Sequence, residues 1–420
     1  MKKIAYQIKV SLTIAALYAF NSIMAYEIDH LEPPFWWVNM EEEKLQLLVH
    51  GKNISFLQPQ IEYENVKIMS VKRTENNNYL FIDLSIKNAN AGSFDIQFIR
   101  LGKVEAEYRY VLRERSLGSK DREGFDPGDV IYLITPDRYA NGDPRNDSVD
   151  GLREKLKRNN KDGRHGGDIQ GIIDHLGYID QMGFTQLWLN PVLVNDQKTY
   201  SYHGYSTTDF YNIDPRFGNN RLYLELSEEA KARGIGIIKD VILNHIGSEH
   251  WWMDDLPSDD WINNGGNFIG TNHIHESLHD PHLSIFEKNL FTDGWFVKSM
   301  PDLNQRNELL ETYLIQNSIW WIEYANLSGF RVDTYPYVDK NFLSTWSMRI
   351  LSEYPNFNFV GEEWNANPTI VSYWQKDSPR HDDYVSFIPS MMDFPLQSAI
   401  VKGLKAVSYT HLTLPTRYRV

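Results

Sequence analysis

Cysteine is absent from the 420 residues, which excludes disulfides, thiolate metal sites, iron–sulfur clusters and cysteine nucleophiles. Positive charge is scarce: 42 Lys and Arg against 56 Asp and Glu leave a net charge of -14. A general nucleic-acid binder needs a basic face to displace counterions from phosphates, so nucleic acid is set aside as a partner. No apolar run reaches the roughly 20 residues that cross a bilayer, and no membrane anchor is expected. The mostly apolar stretch 10–20 follows Lys2, Lys3 and Lys9 and precedes Ile23-Met24-Ala25, the layout of a secretory signal cleaved after Ala25. Residues 1–25 are therefore expected to direct export, with a periplasmic destination. Aromatics, by contrast, are plentiful: 12 Trp, 24 Tyr and 20 Phe. They suggest stacking platforms for a flat, neutral ligand such as a sugar ring.

Residues 26–115 alternate short β-rich runs (45–49, 66–71, 79–86, 93–99 and 106–112) with Asn- and Gly-containing breaks. Several strands at this spacing predict a small immunoglobulin-like β-sandwich, with the charged stretch 113–129 as the best linker. From Val130 the rhythm becomes strand, loop, helix. Apolar strands are expected at 130–134, 184–189, 235–243, 329–333 and 357–361, with a sixth around 384–388. Helices are expected at 169–182, 222–233, 308–326 and 340–353, and another begins near 397. Such alternation implies an α/β fold with a parallel sheet buried on both faces. An open doubly wound sheet would alternate likewise, but no Gly-rich phosphate turn supports one. The expectation is a (β/α)8 TIM barrel over 116–406, incomplete at its C-terminal end. The stretch 246–300 is too long for a plain loop and reads as a domain inserted after strand 3. Asp137, Asn190, Asn244, His245, Asp333 and Glu362 fall at strand ends, which in a barrel form the active-site mouth.

Glycoside hydrolysis needs two carboxyl groups about the scissile bond, one ionised and one protonated. Arg331 and Asp333 are two apart on a strand and point to one face. The guanidinium would hold Asp333 ionised as a nucleophile. Glu362 leaves its strand beside apolar and aromatic neighbours, where desolvation would keep it protonated as a general acid. Taken by spacing alone, an Arg-x-Asp pair is more often a structural ion pair.

Asp240-Val-Ile-Leu-Asn244-His245, Gly329-Phe-Arg331-Val-Asp333, Val360-Gly361-Glu362 and Met300-Pro-Asp-Leu-Asn304 resemble the ordered motifs of the α-amylase family of glycoside hydrolases, family 13. Tyr202-His203-Gly204-Tyr205 is similar to that family's substrate-stacking segment. The run from Glu32 through Trp36 and Trp37 to Met40 resembles the opening of the cyclomaltodextrinase N-terminal domain. The resemblance covers 30–406 and favours the cyclomaltodextrinase and neopullulanase subgroup. It implies a retaining hydrolase that cuts α-1,4-glucosidic bonds of cyclodextrins, maltooligosaccharides or pullulan. It implies Asp333 as nucleophile, Glu362 as acid/base and Arg331 as the group that orients Asp333. His203 and His245 would hydrogen-bond the sugar being cleaved, with Tyr205 stacked beneath it. Asp240 would brace Arg331, and Asn244 would support the mouth. There are departures: the family's Lys-His after the nucleophile is Pro336-Tyr337, and the subgroup's Lys is Asp302. The family's third catalytic carboxylate, an Asp on the seventh strand, has no counterpart.

The loop from Asp137 through Asn141, Asp143, Asn146 and Asp147 is dense in the oxygen donors that a hard cation takes. With Gly166-Gly167-Asp168 it resembles the calcium site of cyclodextrin-processing members. That match implies Asn141, Asp143, Asn146, Asp147, the Gly166 carbonyl and Asp168 as ligands of a structural Ca2+. His275-Glu276-Ser277-Leu278-His279 fits the H-E-x-x-H zinc pattern, but the Gly- and Pro-containing surroundings are poor ground for the helix that pattern needs. Residues 407–420 break the character of the preceding helix, and 408–416 resembles translated sequencing-adaptor read-through. That tail is read as non-native, and the 420-residue chain by itself is expected to be inactive. A glucan transglycosylase and a non-catalytic glucan-binding protein, the latter using Trp36, Trp37 and the aromatic-rich insert, are the alternatives. A homodimer through the N-terminal domain completes the expected partners.

Overall fold

The computed structural model describes residues 26–405. Residues 1–25, expected to direct export, and 407–420, expected to be non-native, lie outside the described residues. The chain opens with eight strands: β1 (His30–Glu32), β2 (Trp36–Trp37), β3 (Lys44–His50), β4 (Gln58–Ile61), β5 (Lys67–Lys72), β6 (Tyr79–Ser85), β7 (Gly92–Arg100) and β8 (Lys103–Arg113). They form two four-stranded sheets, ordered β1-β3-β6-β5 and β2-β8-β7-β4. The inward faces bury Leu45, Leu47, Ile82, Phe94, Ile96 and Phe98, while Phe81, on the other face of β6, packs on Trp261. Three of these strands, β1, β2 and β4, are absent from the pattern read in sequence. Two to four residues are too few to show a period of two.

Six parallel strands follow: β9 (Ile131–Ile134), β10 (Gln186–Leu189), β11 (Gly236–Val241), β12 (Gly329–Val332), β13 (Asn358–Gly361) and β14 (Ser390–Met391). Their spatial order is their chain order, so each strand pairs with the next. Sequential parallel strands with helical crossovers are barrel topology, here as an open sheet of six strands among the described residues. The crossovers carry helices α1 (Ile169–Asp174), α2 (Leu176–Gln181), α3 (Asn220–Lys231), α4 (Ile285–Thr292), α5 (Glu308–Ala325), α6 (Lys340–Glu353) and α7 (Pro368–Tyr373), and α8 (Phe394–Lys405) follows β14. The helix expected over 169–182 is broken at His175, whose ring donates from Nδ1 to the Gly171 carbonyl at 2.7 Å.

The sixth strand lies later than expected. Tyr384 and Ile388 are buried, Tyr384 packing on Tyr373 and Trp374, while Lys376 N donates to the Ile388 carbonyl at 2.8 Å. Pairing with β13 begins only at Ser390, opposite Val360. The stretch after Arg113 is likewise no loose linker. Arg115 reaches Glu323 at 2.9 Å and Glu353 at 2.6 Å, and Ser119 Oγ donates to Glu323 at 2.7 Å, so the segment is bound to helices α5 and α6.

Residues 246–300 fold into short 3-10 turns and helix α4, tied back by bridges His245↔Asp302 and Ile262↔Leu303. The sandwich grips this insert at Asp255, whose carboxylate accepts from His50 at 3.0 Å, Asn76 at 2.5 Å and Asn78 at 2.8 Å. The aromatic abundance is spent inside: nine of the 12 Trp are buried, and Trp364 alone is exposed. Trp36 and Trp37 are core residues, not surface platforms.

Candidate active site

The register of the parallel sheet assembles the site. Asp240 on β11 pairs with Arg331 on β12, and Arg331 with Val360 on β13, so their C-terminal ends lie level. Arg331 Nη1 donates to Asp240 Oδ1 at 2.8 Å and to Asp333 Oδ1 at 2.7 Å, while Nη2 contacts Glu362 Oε1. One buried guanidinium thus serves three buried carboxyl groups. Behind it, Trp188 Nε1 and the Tyr205 hydroxyl donate to Asp240 Oδ2 at 3.0 and 3.1 Å. Asn190 Nδ2 donates to the Tyr205 hydroxyl at 3.0 Å, and Thr135 donates to Asn190 Oδ1 at 2.9 Å. The chain of bonds crosses the mouth from the end of β9 to the end of β13.

Electrostatics differ from the expectation drawn from spacing. Burial pushes the Asp333 carboxyl up to about 8, with Arg331 opposing and Glu362 and Asp240 adding to the rise. Asp240 is also raised, by burial first. Glu362 does not sit in an apolar niche: it accepts from Arg331 and from the Thr334 amide at 3.0 Å. Thr334 adopts φ 45°, a left-handed conformation rare for a β-branched residue, and this turn presents its amide to Glu362.

His203 and His245 line the same mouth, and burial lowers both to about 4, so they are neutral near pH 7. His203 Nδ1 accepts from the Tyr205 amide at 3.0 Å, which leaves Nε2–H as its donor. His245 Nε2 donates to the Tyr205 carbonyl at 3.0 Å, so this ring nitrogen is engaged by protein and not left for a hydroxyl. Gly204 between them has φ 87°, and a Cβ there would stand 2.0 Å from the Pro191 carbonyl oxygen. Only glycine lets the segment approach so closely. Asn244 Nδ2 donates to Asp302 Oδ2 at 2.8 Å, and Asn263 Nδ2 to Oδ1 at 2.7 Å. Burial raises the Asp302 carboxyl well above the usual range.

The first exit loop brings Asn141, Asn146, Asp147 and Gly166 together around Asp168. Asp168 itself caps α1, accepting from the amides of Gly171 at 2.7 Å, Gly142 at 3.0 Å and Asp143 at 2.8 Å. The Asp143 carboxylate faces Arg145 at 2.7 Å. Asp143 is thus turned to Arg145, while Asp168, which also accepts from Asn146 Nδ2 at 3.2 Å, is occupied by donors of the loop itself. Asn141 Oδ1 and Asn146 Oδ1 are buried with no donor, and Asp147 Oδ1 faces Gly166, where a Cβ would lie 2.2 Å away. Orphaned amide oxygens beside a carboxylate fit a hard cation. Among the described residues no three acidic or His side chains converge as a metal group, so amides and carbonyls must supply most of the ligands. The His275–Leu278 segment is a 3-10 turn. His275 packs on Tyr337 and His279 on Tyr373, so the two imidazoles do not share a ligand position.

Sequence reading missed Trp188, Thr334, Tyr337 and Glu363. Trp188 shares the inward face of β10 and carries a polar tip, a signal that was there to find. Thr334 and Glu363 depend on backbone turns that residue identity does not announce.

Comparison with known proteins follows the same two units. The family described as alpha amylase, catalytic domain, matches residues 133–402, and that described as cyclomaltodextrinase, N-terminal, matches 30–116. Neopullulanase 2 of Thermoactinomyces vulgaris is 33% identical over 245 residues, covering 56% of this chain and 39% of its own. A cyclomaltodextrinase of Thermoanaerobacter pseudethanolicus is 28% identical over 280 residues, covering 65% and 43%. This chain therefore spans about two fifths of the length of these relatives. The solved α-amylase of Geobacillus thermoleovorans, complexed with acarbose, is 31% identical with a TM-score of 0.52, covering 65% of this chain and 53% of its own.

Proposed function

The chain belongs to the α-amylase family of glycosidases, and we propose that it serves a retaining hydrolase of short α-glucans: cyclodextrins, maltooligosaccharides or pullulan, cut at α-1,4 bonds. The observation that carries this is Arg331, held at once by Asp240, Asp333 and Glu362. Burial raises Asp333 and Asp240 together around one cation, so the cluster holds a proton as a unit, and hydrolysis with retention needs one proton and one free carboxylate. Asp333 would attack the anomeric carbon as Glu362 protonates the departing oxygen. Glu362 would then take a proton from water, which hydrolyses the glycosyl ester on Asp333. Asp240 and Tyr205 hold Arg331, and through it both reacting carboxyls, in register.

Asp333→Asn and Glu362→Gln should each lower turnover of maltotriose and β-cyclodextrin by about 10²–10⁴-fold or more, with folding intact. Full activity in either variant would remove the assignment. Products longer than maltotriose would favour transfer to sugar over hydrolysis. The non-catalytic alternative loses Trp36 and Trp37, which are buried, and keeps only the aromatics of the insert; it also has no use for Arg331, Asp333 and Glu362 together.

Calcium would be held by Asn141 Oδ1, Asn146 Oδ1, Asp147 and the Gly166 carbonyl. When bound it would supply cross-linking and charge neutralisation, with no part in bond cleavage. Export to the periplasm and pairing through the sandwich belong to the same proposal, checked by fractionation and by sedimentation. Among the described residues no helix is long and apolar enough to cross a membrane.

A further inference from the structure

Glu363 follows the acid/base in sequence, yet its side chain is fully buried and turned away from Arg331. Its Oε2 accepts from Trp374 Nε1 at 3.2 Å, and its Oε1 lies 2.5 Å from His275 Nδ1. His275 comes from the insert and is the one cationic-type side chain within ion-pair distance of Glu363 among the described residues. The other ring nitrogen of His275 lies 3.1 Å from the Tyr337 hydroxyl, which is 3.0 Å from His273 Nδ1. Tyr337 stands on the exit loop of β12, four residues after Asp333, with its ring stacked on Phe291 of α4 at 4.2 Å. Asn365 adds a second tie, donating to Glu276 at 3.2 Å. One short segment of the insert therefore grips the exits of both strands that bear the reacting carboxyls.

We propose, resting on the glycosidase reading above, that His275 and Glu363 are positioning residues for Glu362, so that acid catalysis depends on the insert being docked. Without His275 the buried Glu363 carboxyl keeps only its indole donor and would turn toward solvent. That change moves the backbone shared with Glu362. The carboxyl of Glu362 must meet the departing oxygen within hydrogen-bond reach, and a small displacement there is costly.

The test uses two substrates in the intact enzyme. Maltotriose has a poor leaving group that needs a proton, whereas α-maltosyl fluoride departs with little help. His275→Ala should lower kcat on maltotriose about 10-fold or more, within the ~10²–10⁴ that a positioned acid contributes, with KM changed little. Turnover of the fluoride should fall by far less. Adding Glu363→Gln removes the orphaned charge and should restore most of the lost kcat. His275→Gln, which can bring an N–H to the same carboxyl, should lose less and serves if the alanine variant folds poorly. Equal losses on both substrates, no loss on maltotriose, or no rescue by Glu363→Gln would overturn the positioning role. Glu362→Gln is the control: if it shows no such dependence on the leaving group, or if the unaltered protein cleaves neither substrate, the glycosidase reading fails and takes this one with it.

Discussion

Asp333 shows how far burial can override a neighbouring charge. The Arg331 contact visible in sequence spacing is present at 2.7 Å, yet desolvation and two further carboxyls lift Asp333 from the ordinary 3.8 to about 8. The folded protein then binds that proton more tightly than the unfolded chain, so Asp333's contribution to stability is complete below about pH 4 and lost as pH rises toward 8. Asp240 and Asp302 are raised too and act with the same sign. His203 and His245, which burial lowers to about 4, act with the opposite sign between pH 4 and 6.5, so the contrast with a variant isolates the carboxyl: from pH 4 to 8 the melting temperature of the unaltered protein should fall relative to that of Asp333→Asn. Parallel curves for the two proteins would contradict the buried cluster. The identity of the cluster was legible because Arg331 and Asp333 share one strand face and Asp240 sits in an ordered motif. Its electrostatics were not: spacing shows which charges meet but not how much water remains.

Among the elements, the first exit loop is the clearest place where a motif and a structure divide the work differently. Asp168 reads as a metal ligand in the motif and acts here as the cap of α1, while the orphaned oxygens belong to Asn141 and Asn146. If calcium fills that gap, it binds only the folded loop and stabilises it by mass action. Chelation should lower the melting temperature, and Asn146→Ala should abolish that response. Unchanged melting in chelator, with no metal in the purified protein, would count against the ion. Long strands and helices were readable because their apolar periods persist for several turns or pleats, as in α6, predicted to the residue. Elements set by tertiary contacts were not. Tyr384 to Ile388 has a strand's composition but packs against α7, and the two-residue β14 pairs only because β13 lies beside it.

At the scale of the whole molecule, the sandwich, the insert and the parallel sheet interlock through polar contacts: the buried pairs Tyr313 with Glu32 and Gln46 with Gln316, and the half-buried Asp255 with three sandwich side chains. None of these long-range pairs can be read along the chain, because each partner's role depends on a residue more than a hundred positions away. The aromatic content misled for the same reason, since composition does not separate core from surface. The described sheet leaves β9 and β14 at its two edges, with Ile131 and Leu133 of β9 exposed, as are Leu396, Ile400 and Leu404 of α8. Unpaired parallel edges with apolar flanks favour association. The protein is therefore expected to self-associate, read by light scattering; a monodisperse monomer at high concentration would contradict this.

The central claim, that Asp333 is the nucleophile and Glu362 the acid/base of a retaining hydrolase, has one direct test. In the intact enzyme carrying Glu362→Gln, α-maltosyl fluoride should still glycosylate Asp333, because fluoride leaves without a proton, while the missing base slows release by water. Peptide mass analysis should find a maltosyl adduct on the peptide bearing Asp333, and adding azide should free an α-linked product. An adduct on another residue, or a product of inverted configuration with no adduct, would show that these two carboxyls do not perform the chemistry.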